Sequence, residues 1–339
     1  MTGPLRVVSV GGGTGLSSLL NGLKKYTHYS GEKYPLVDIT AIVTVTDDGG
    51  SSGRLRREFD VLPPGDIRNC MVALSEDEAL LSQLFRYRFK AGHGLKGHSF
   101  GNLFLTALTE ITGDFPEAVR KSAEVLKIAG RIFPSTAANV SLEAVLDDGR
   151  VVSGETRISR SRRRIRRVRL VPSRVMPVKE TLDAIARADL ITMGPGSLFT
   201  SVIPNLLVAG IPKAIRQSSA LKACFVNLMS QPGETINFSA SDHVAAIREH
   251  AGGKILDYAV VSTSRIPRAV RRSYAEQNAA PVDNDCDALE GLGLEVLKAD
   301  LLLKGPLLRK GKVRHNPEAI ATVVMDLAMQ GRMRRAAKD

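Results

Sequence analysis

The segment Thr44 to Arg56, TVTDDGGSSGRLR, sets two adjacent carboxylates before Gly-Gly-Ser-Ser-Gly and a basic run. Such a stretch has too few apolar side chains to build a core. Its acids suit three uses: accepting ribose hydroxyls, holding Mg²⁺ through water, or acting as a general base. Asp47 and Asp48 would point to opposite sides in extended chain, a restriction that a glycine-rich turn relaxes. The competing structural use is an Asx hydrogen bond that caps the turn, expected of at least one of the two acids.

Two further stretches have the composition of anion sites. SVGGGTGLSSLL (Ser9 to Leu20) places Gly12, Gly13, Thr14 and Gly15 between a β-branched run and a helical pattern. Glycines admit a ligand close to the backbone, and the free N–H groups at a helix start favour an anion. No Gly-Lys-Ser/Thr follows, which excludes a Walker A loop, and the spacing fits GxGxxG poorly. MGPGSLFTSV (Met193 to Val202) repeats the logic, with Gly196 freeing the backbone and Ser197, Thr200 and Ser201 adding hydroxyls. Two such turns in one α/β chain can converge on a crevice at the strand ends, and a diphosphate is the natural match. In GHGLKGHSFGNL, His98 and Asn102 share a helix face, so His98 is assigned a polar contact with a ligand and His93 a loop position.

These residues need strands and helices to position them. LRVVSV (Leu5 to Val10) reads as a strand. Leu16, Leu19, Leu20 and Leu23 follow at helical spacing, and VDITAIVTVT reads as a second strand. Buried strand, helix and buried strand predict a parallel sheet. DLITM and KILDYAVVST add strands, and Pro204 is expected to kink or split the helix after Ser197. Asp66, after Pro-Pro-Gly, is placed to cap a helix from Ile67. Helices are also expected over EDEALLSQLFRYRF, Leu103 to Ile111 and Pro116 to Ile128. Alternation around Asp148-Gly149 predicts a hairpin, so residues 140–172 read as a β insertion, with the arginine tract extended. A C-terminal helix is expected over about 317–330, followed by a frayed end. The fold class is therefore α/β, a mostly parallel sheet with flanking helices and a small β-hairpin insertion, read as one domain over 1–339.

The 339 residues, 43% hydrophobic, can bury a large core without disulfides. Cys70, Cys224 and Cys286 are far apart and form no CxxC pair, which fits a reducing cytoplasm and argues against a zinc site. No run approaches a membrane span or a signal peptide. Net charge is +12, but RISRSRRRIRRVR (Arg157 to Arg169) holds eight arginines and no acid, and without them the charge falls to +4. That patch suits a solvated edge strand or an acidic protein partner. Without interleaved aromatics it is a poor nucleic-acid site. Neither the oligomeric state nor the base of a nucleotide can be read from the sequence, and a homo-oligomer stays open.

GGGTG, TDDGGSSGRLR, PPGDIRNC, GHSFGNL and GPGSLFTSVIPNLL, in that order, resemble the bacterial gluconeogenesis factor family (YvcK-like). That family belongs to a superfamily with 2-phospho-L-lactate transferase (CofD-like). The resemblance runs from about Val7 to Pro317. It implies a Rossmann-like fold and a cytoplasmic regulatory protein that binds a nucleotide sugar, UDP-N-acetylglucosamine in particular. It also implies roles in carbon metabolism, cell-wall synthesis and cell shape. By motif, Gly12, Gly13, Thr14 and Gly15 would meet the diphosphate, and Gly196 and Ser197 would close the phosphate side. Asp47 and Asp48 would lie in the pocket with Asn69 and Asn102 nearby. Tyr274 (in RSYAEQNAAPV) and Arg314 (in VRHNP) would contact the nucleotide sugar. The alternative implied by the superfamily is a transferase with a nucleotide diphosphate donor and Mg²⁺, in which Asp47 and Asp48 serve catalysis and Asp48 is the candidate metal ligand. The arginine tract is denser than the family resemblance leads one to expect.

Overall fold

The computed structural model describes residues 3–27, 36–75, 80–161 and 163–337. Among these residues ten strands run in chain order: β1 (Leu5–Gly11), β2 (Val37–Val43), β3 (Arg131–Pro134), β4 (Ser141–Leu146), β5 (Val151–Ser153), β6 (Ile165–Val171), β7 (Leu190–Met193), β8 (Leu221–Phe225), β9 (Tyr258–Ser262) and β10 (Glu295–Ala299). Seven form one sheet in the order β10-β9-β8-β7-β1-β2-β3, and every pairing in it is parallel. Parallel strands covered on both faces need near-continuous apolar sequence, and β1 and β2 are buried at all but one position each. From β1 the chain steps out to β2 and β3, then returns to lay β7 against the other side of β1. The junction of β1 and β7 is thus a topological switch point, where α/β sheets open a crevice at their carboxyl ends.

The helix Gly13–Leu23 leaves β1 as expected, with Leu16, Leu19, Leu20 and Leu23 fully buried. Each such leucine contributes about 1.5–3 kcal/mol of apolar burial, enough to fix the helix and the glycine loop before it. It packs on the helices Gly65–Leu74 and Pro317–Ala336. Phe100–Thr112 and Phe115–Leu126 realise the two helices expected in that region. The helix Leu80–Arg86 covers the later part of EDEALLSQLFRYRF; residues 76–79 of it lie outside the described residues. The chain after Ser197 is divided as anticipated, into a π-helical turn Leu198–Val202 and an α-helical turn Ile203–Leu206 that carries Pro204.

The insertion is a separate antiparallel sheet, β5-β4-β6, and β4 and β5 form the expected hairpin. The arginine tract is not extended throughout: Arg157 lies on the short helix Glu155–Ser159, and the strand begins only at Ile165.

The C-terminal helix also departs from expectation. It does not fray after 330 but continues to Ala336. Asp189, fully buried at the start of β7, accepts from Arg332 at 2.7 Å and lies 3.2 Å from Arg335. Gly331 lets the helix touch the Asp189 carbonyl, where a β-carbon would come within 2.0 Å. The basic end of the helix is thereby a binding element.

Candidate functional site

The carboxyl ends of β1, β7 and β8 open into a cleft of about 240 Å³. Its floor is the loop Gly12–Gly15, one side is Pro195 to Ser197 with Ser201, and the far wall brings Met229, Gln231, Tyr274, Arg314 and His315. The two glycine turns that the sequence places at strand ends therefore meet. Gly15 is the point of contact, since a β-carbon there would lie 2.3 Å from the Pro195 carbonyl oxygen. Gly13 adopts φ +61°, which a side chain rarely tolerates. The helix that starts at Gly13 has no side-chain cap, and Thr14 and Gly15 lie in its first turn, where N–H groups have no intrahelical acceptor.

The far wall is ordered by its own hydrogen bonds. Val313 N–H donates to the Tyr274 hydroxyl at 3.0 Å, which ties the segment bearing Arg314 to the helix Arg268–Ala275. Gln231 Nε2 donates to Ser197 Oγ at 2.9 Å and closes the loop after β8 over the cleft. Burial pushes the His315 imidazole down to about 4, so it stays neutral and lies 3.4 Å from the Val226 carbonyl.

The second glycine turn works differently from expectation. The buried Glu234 carboxylate accepts from Phe199 N–H at 3.1 Å and from Thr200 Oγ1 at 2.9 Å. The chain thus supplies its own carboxyl group to the turn Leu198–Val202. Burial raises the Glu234 pKa, and these donors oppose that rise. The other Glu234 contact, Ser159 Oγ at 3.3 Å, belongs to the insertion.

The remaining sequence candidates gather behind the first loop, outside the cleft lining. Asp47 Oδ1 accepts Gly49 N–H at 2.8 Å, the anticipated Asx turn. Asp48 Oδ1 accepts both N–H and Oγ1–H of Thr156, which docks the insertion on the strand end. His98 is buried with Nδ1 3.0 Å from Ser51 Oγ, and Asn102 Nδ2 lies 3.3 Å from Ser52 Oγ. Asn69 accepts from Arg68. His98 and Asn102 hold the Gly50–Phe59 helix through Ser51 and Ser52, while Gly12 to Gly15, Gly196, Ser197, Tyr274 and Arg314 line the cleft.

Asp66 links the two groups. It does not cap its own helix, which begins at Gly65 with Pro64 at the N-cap, so Asp66 falls inside the first turn. Its carboxyl reaches the Gly13 N–H at the cleft floor. Loss of hydration and the neighbouring Asp47 charge push Asp66 up to about 7, against the pull of Gly13 N–H and Arg68. Glu155 from the insertion joins this acidic wall. Its pKa is raised well above the usual range, by burial first and then by Asp66, Asp47, Glu234 and Asp48. Sequence reasoning missed Glu155 and Glu234, whose flanking residues carry no motif. Asp66 stood in a quoted motif but was given a capping role. As for a cation, among the described residues no three acid, histidine or cysteine side chains share a metal-sized site. Asp48, the candidate metal ligand, has Oδ1 engaged by the N–H and hydroxyl of Thr156.

Comparison with known proteins follows the same lines. The profile of the family described as 2-phospho-L-lactate transferase CofD matches residues 7–302. The gluconeogenesis factor of Bacillus subtilis (strain 168) is 46% identical over 322 residues, covering 95% of this chain and 98% of that protein. That of Halalkalibacterium halodurans is 46% identical over 320 residues, covering 94% and 95%. A crystal structure of a Bacillus halodurans protein superposes with a TM-score of 0.89 at 46% identity, covering 95% of this chain and 99% of the other. No single helix among the described residues is long and apolar enough to cross a membrane. With a seven-stranded parallel sheet, a cleft at its switch point and these relatives over nearly its whole length, the chain belongs to the gluconeogenesis factor family and carries a CofD-type domain.

Proposed function

We propose that the cleft binds a nucleotide sugar, UDP-N-acetylglucosamine or a close relative, and that the protein acts as a cytoplasmic regulator connecting carbon metabolism with cell-wall synthesis and cell shape. The observation that carries this reading is the pairing of the glycine loop at the start of the Gly13–Leu23 helix with Arg314 and Tyr274 across one cleft. N–H groups of the loop suit a phosphate. A guanidinium facing a diphosphate forms strong charge-assisted hydrogen bonds. The volume falls just under the roughly 300–1,000 Å³ of ordinary small-molecule sites, so part of a nucleotide sugar would project from the mouth. Isothermal titration with UDP-N-acetylglucosamine tests the reading. We expect micromolar or tighter binding and no turnover of the ligand; absence of both heat and thermal stabilisation sinks it.

The CofD match and the Asp66 carboxyl beside Gly13 favour a second reading, a transferase that uses a nucleotide diphosphate donor. A carboxyl near 7 can donate or accept a proton at neutral pH. Incubation with a deazaflavin acceptor and an activated phospholactate, with and without Mg²⁺, decides between the two. Product that disappears in Asp48→Asn and Asp66→Asn supports the transferase, and its absence with bound ligand supports the regulator.

A further inference from the structure

The solvent-facing side of the insertion sheet combines cationic and aliphatic side chains in rows. Strand register sets Val151, Val145 and Arg167 side by side, then Ser153, Glu143 and Arg169, then Ser141 and Val171. Val151 is 52% exposed and Val171 42%. The register shifts between Val145 and Leu146, so Arg166 is an extra residue in β6 and stands exposed beside Arg167. Bulges of this kind re-aim a side chain. Arg169 pairs with Glu143, and Arg163 and Arg150 with Asp148. Arg157, Arg160, Arg166 and Arg167 make no ion pair among the described residues.

Deterrence of edge pairing does not account for this density. The outer edge of β6 is engaged at its centre: Val168 N–H donates to Nε2 of His250, whose Nδ1 lies 2.7 Å from the Ala246 carbonyl. Burial lowers the His250 pKa, in keeping with the neutral tautomer this requires.

We propose that this face is a docking surface for an acidic protein segment that carries aliphatic side chains between its carboxylates. Charge complementarity selects the acid: Arg166 and Arg167 on this face are unpaired among the described residues, and Glu143, the carboxylate in these rows, is taken up by Arg169. Val145, Val151 and Val171 select a protein over a nucleic acid, because apolar side chains gain nothing from a phosphate backbone and no aromatic ring is present to stack a base. A second copy of this chain is a poor occupant through the same face, since arginine would meet arginine. The proposal is independent of what the cleft binds.

The test uses the full chain and a fluorescein-labelled peptide of alternating glutamate and leucine, followed by anisotropy, with an oligothymidylate of similar length in parallel. The peptide binds the wild-type protein. Arg166→Glu with Arg167→Glu weakens it by roughly tenfold or more, as expected for like charges in an interface. Val171→Ser and Arg167→Gln each weaken it less, and the exposed Arg86→Glu leaves it unchanged. The two milder variants decide the matter if the double reversal lowers the thermal midpoint. Three results overturn the proposal: no peptide binding by the wild type, equal binding by every variant, or tighter binding of the oligothymidylate that the same arginine variants abolish.

Discussion

Asp66 changes what the glycine loop can accept. Its carboxylate and an incoming diphosphate would both draw on the floor of the loop, and they repel each other once Asp66 ionises. The folded protein holds the Asp66 proton up to about 7, against 3.8 for a free side chain. The neutral form therefore prevails below 7 and the charged form above it. Affinity for UDP-N-acetylglucosamine should be higher at pH 6 than at pH 8, and Asp66→Asn should flatten that dependence; titration calorimetry at both pH values reads it. The same shift has a stability sign. As pH rises from about 4 to about 7 the unfolded chain gains from ionising Asp66 and the folded one does not, so stability attributable to this group declines across that window. Arg314→Ala should weaken the ligand about 10- to 100-fold, the usual cost of losing a charged hydrogen bond of roughly 1.5–3 kcal/mol. Residue types alone marked the glycine turns at the ends of β1 and β7, because backbones that approach as closely as Gly15 and Pro195 leave no room for a side chain. They could not show that Glu234 fills the second turn, since that glutamate comes from a loop far along the chain and meets Phe199 only through the fold.

Among the elements, the strands with β-branched or Leu-rich runs were legible because both faces of a parallel sheet must be apolar. β8 escaped: its sequence LKACF holds a lysine, which is buried with Nζ on the Ser218 carbonyl. β3 and β10 escaped for different reasons, the first being four residues long and the second half-exposed at the sheet edge. The end of the C-terminal helix was misread because a run of arginines looks like a solvated tail. In the folded chain Arg332 and Arg335 neutralise a fully buried aspartate. Removing one side of such a buried pair costs about 3–5 kcal/mol. A chain truncated after Gln330 should therefore lose several degrees of thermal midpoint by calorimetry, and Asp189→Asn should lose part of the same stability.

Across the whole molecule, the insertion and the cleft are mechanically joined. Gly233 is wedged so that a β-carbon would sit 2.2 Å from the Ser159 carbonyl, and Glu234 bonds both Ser159 and the turn at Phe199. Glu234→Ala should release the Arg157–Arg169 region, and brief trypsin digestion followed by mass spectrometry should show faster cleavage there; an unchanged cleavage rate would refute the coupling. The Asp189 cluster has a consequence of another kind. Arg332 also donates to the carbonyl of Gly3, and Arg6 N–H to Asp189, so the two ends of the described chain are fastened at one spot. That spot lies where β1 begins, and the cleft lies where β1 stops. A fluorescent reporter or affinity handle joined to either end would leave from the far side of the sheet, with the ligand's doorway unobstructed.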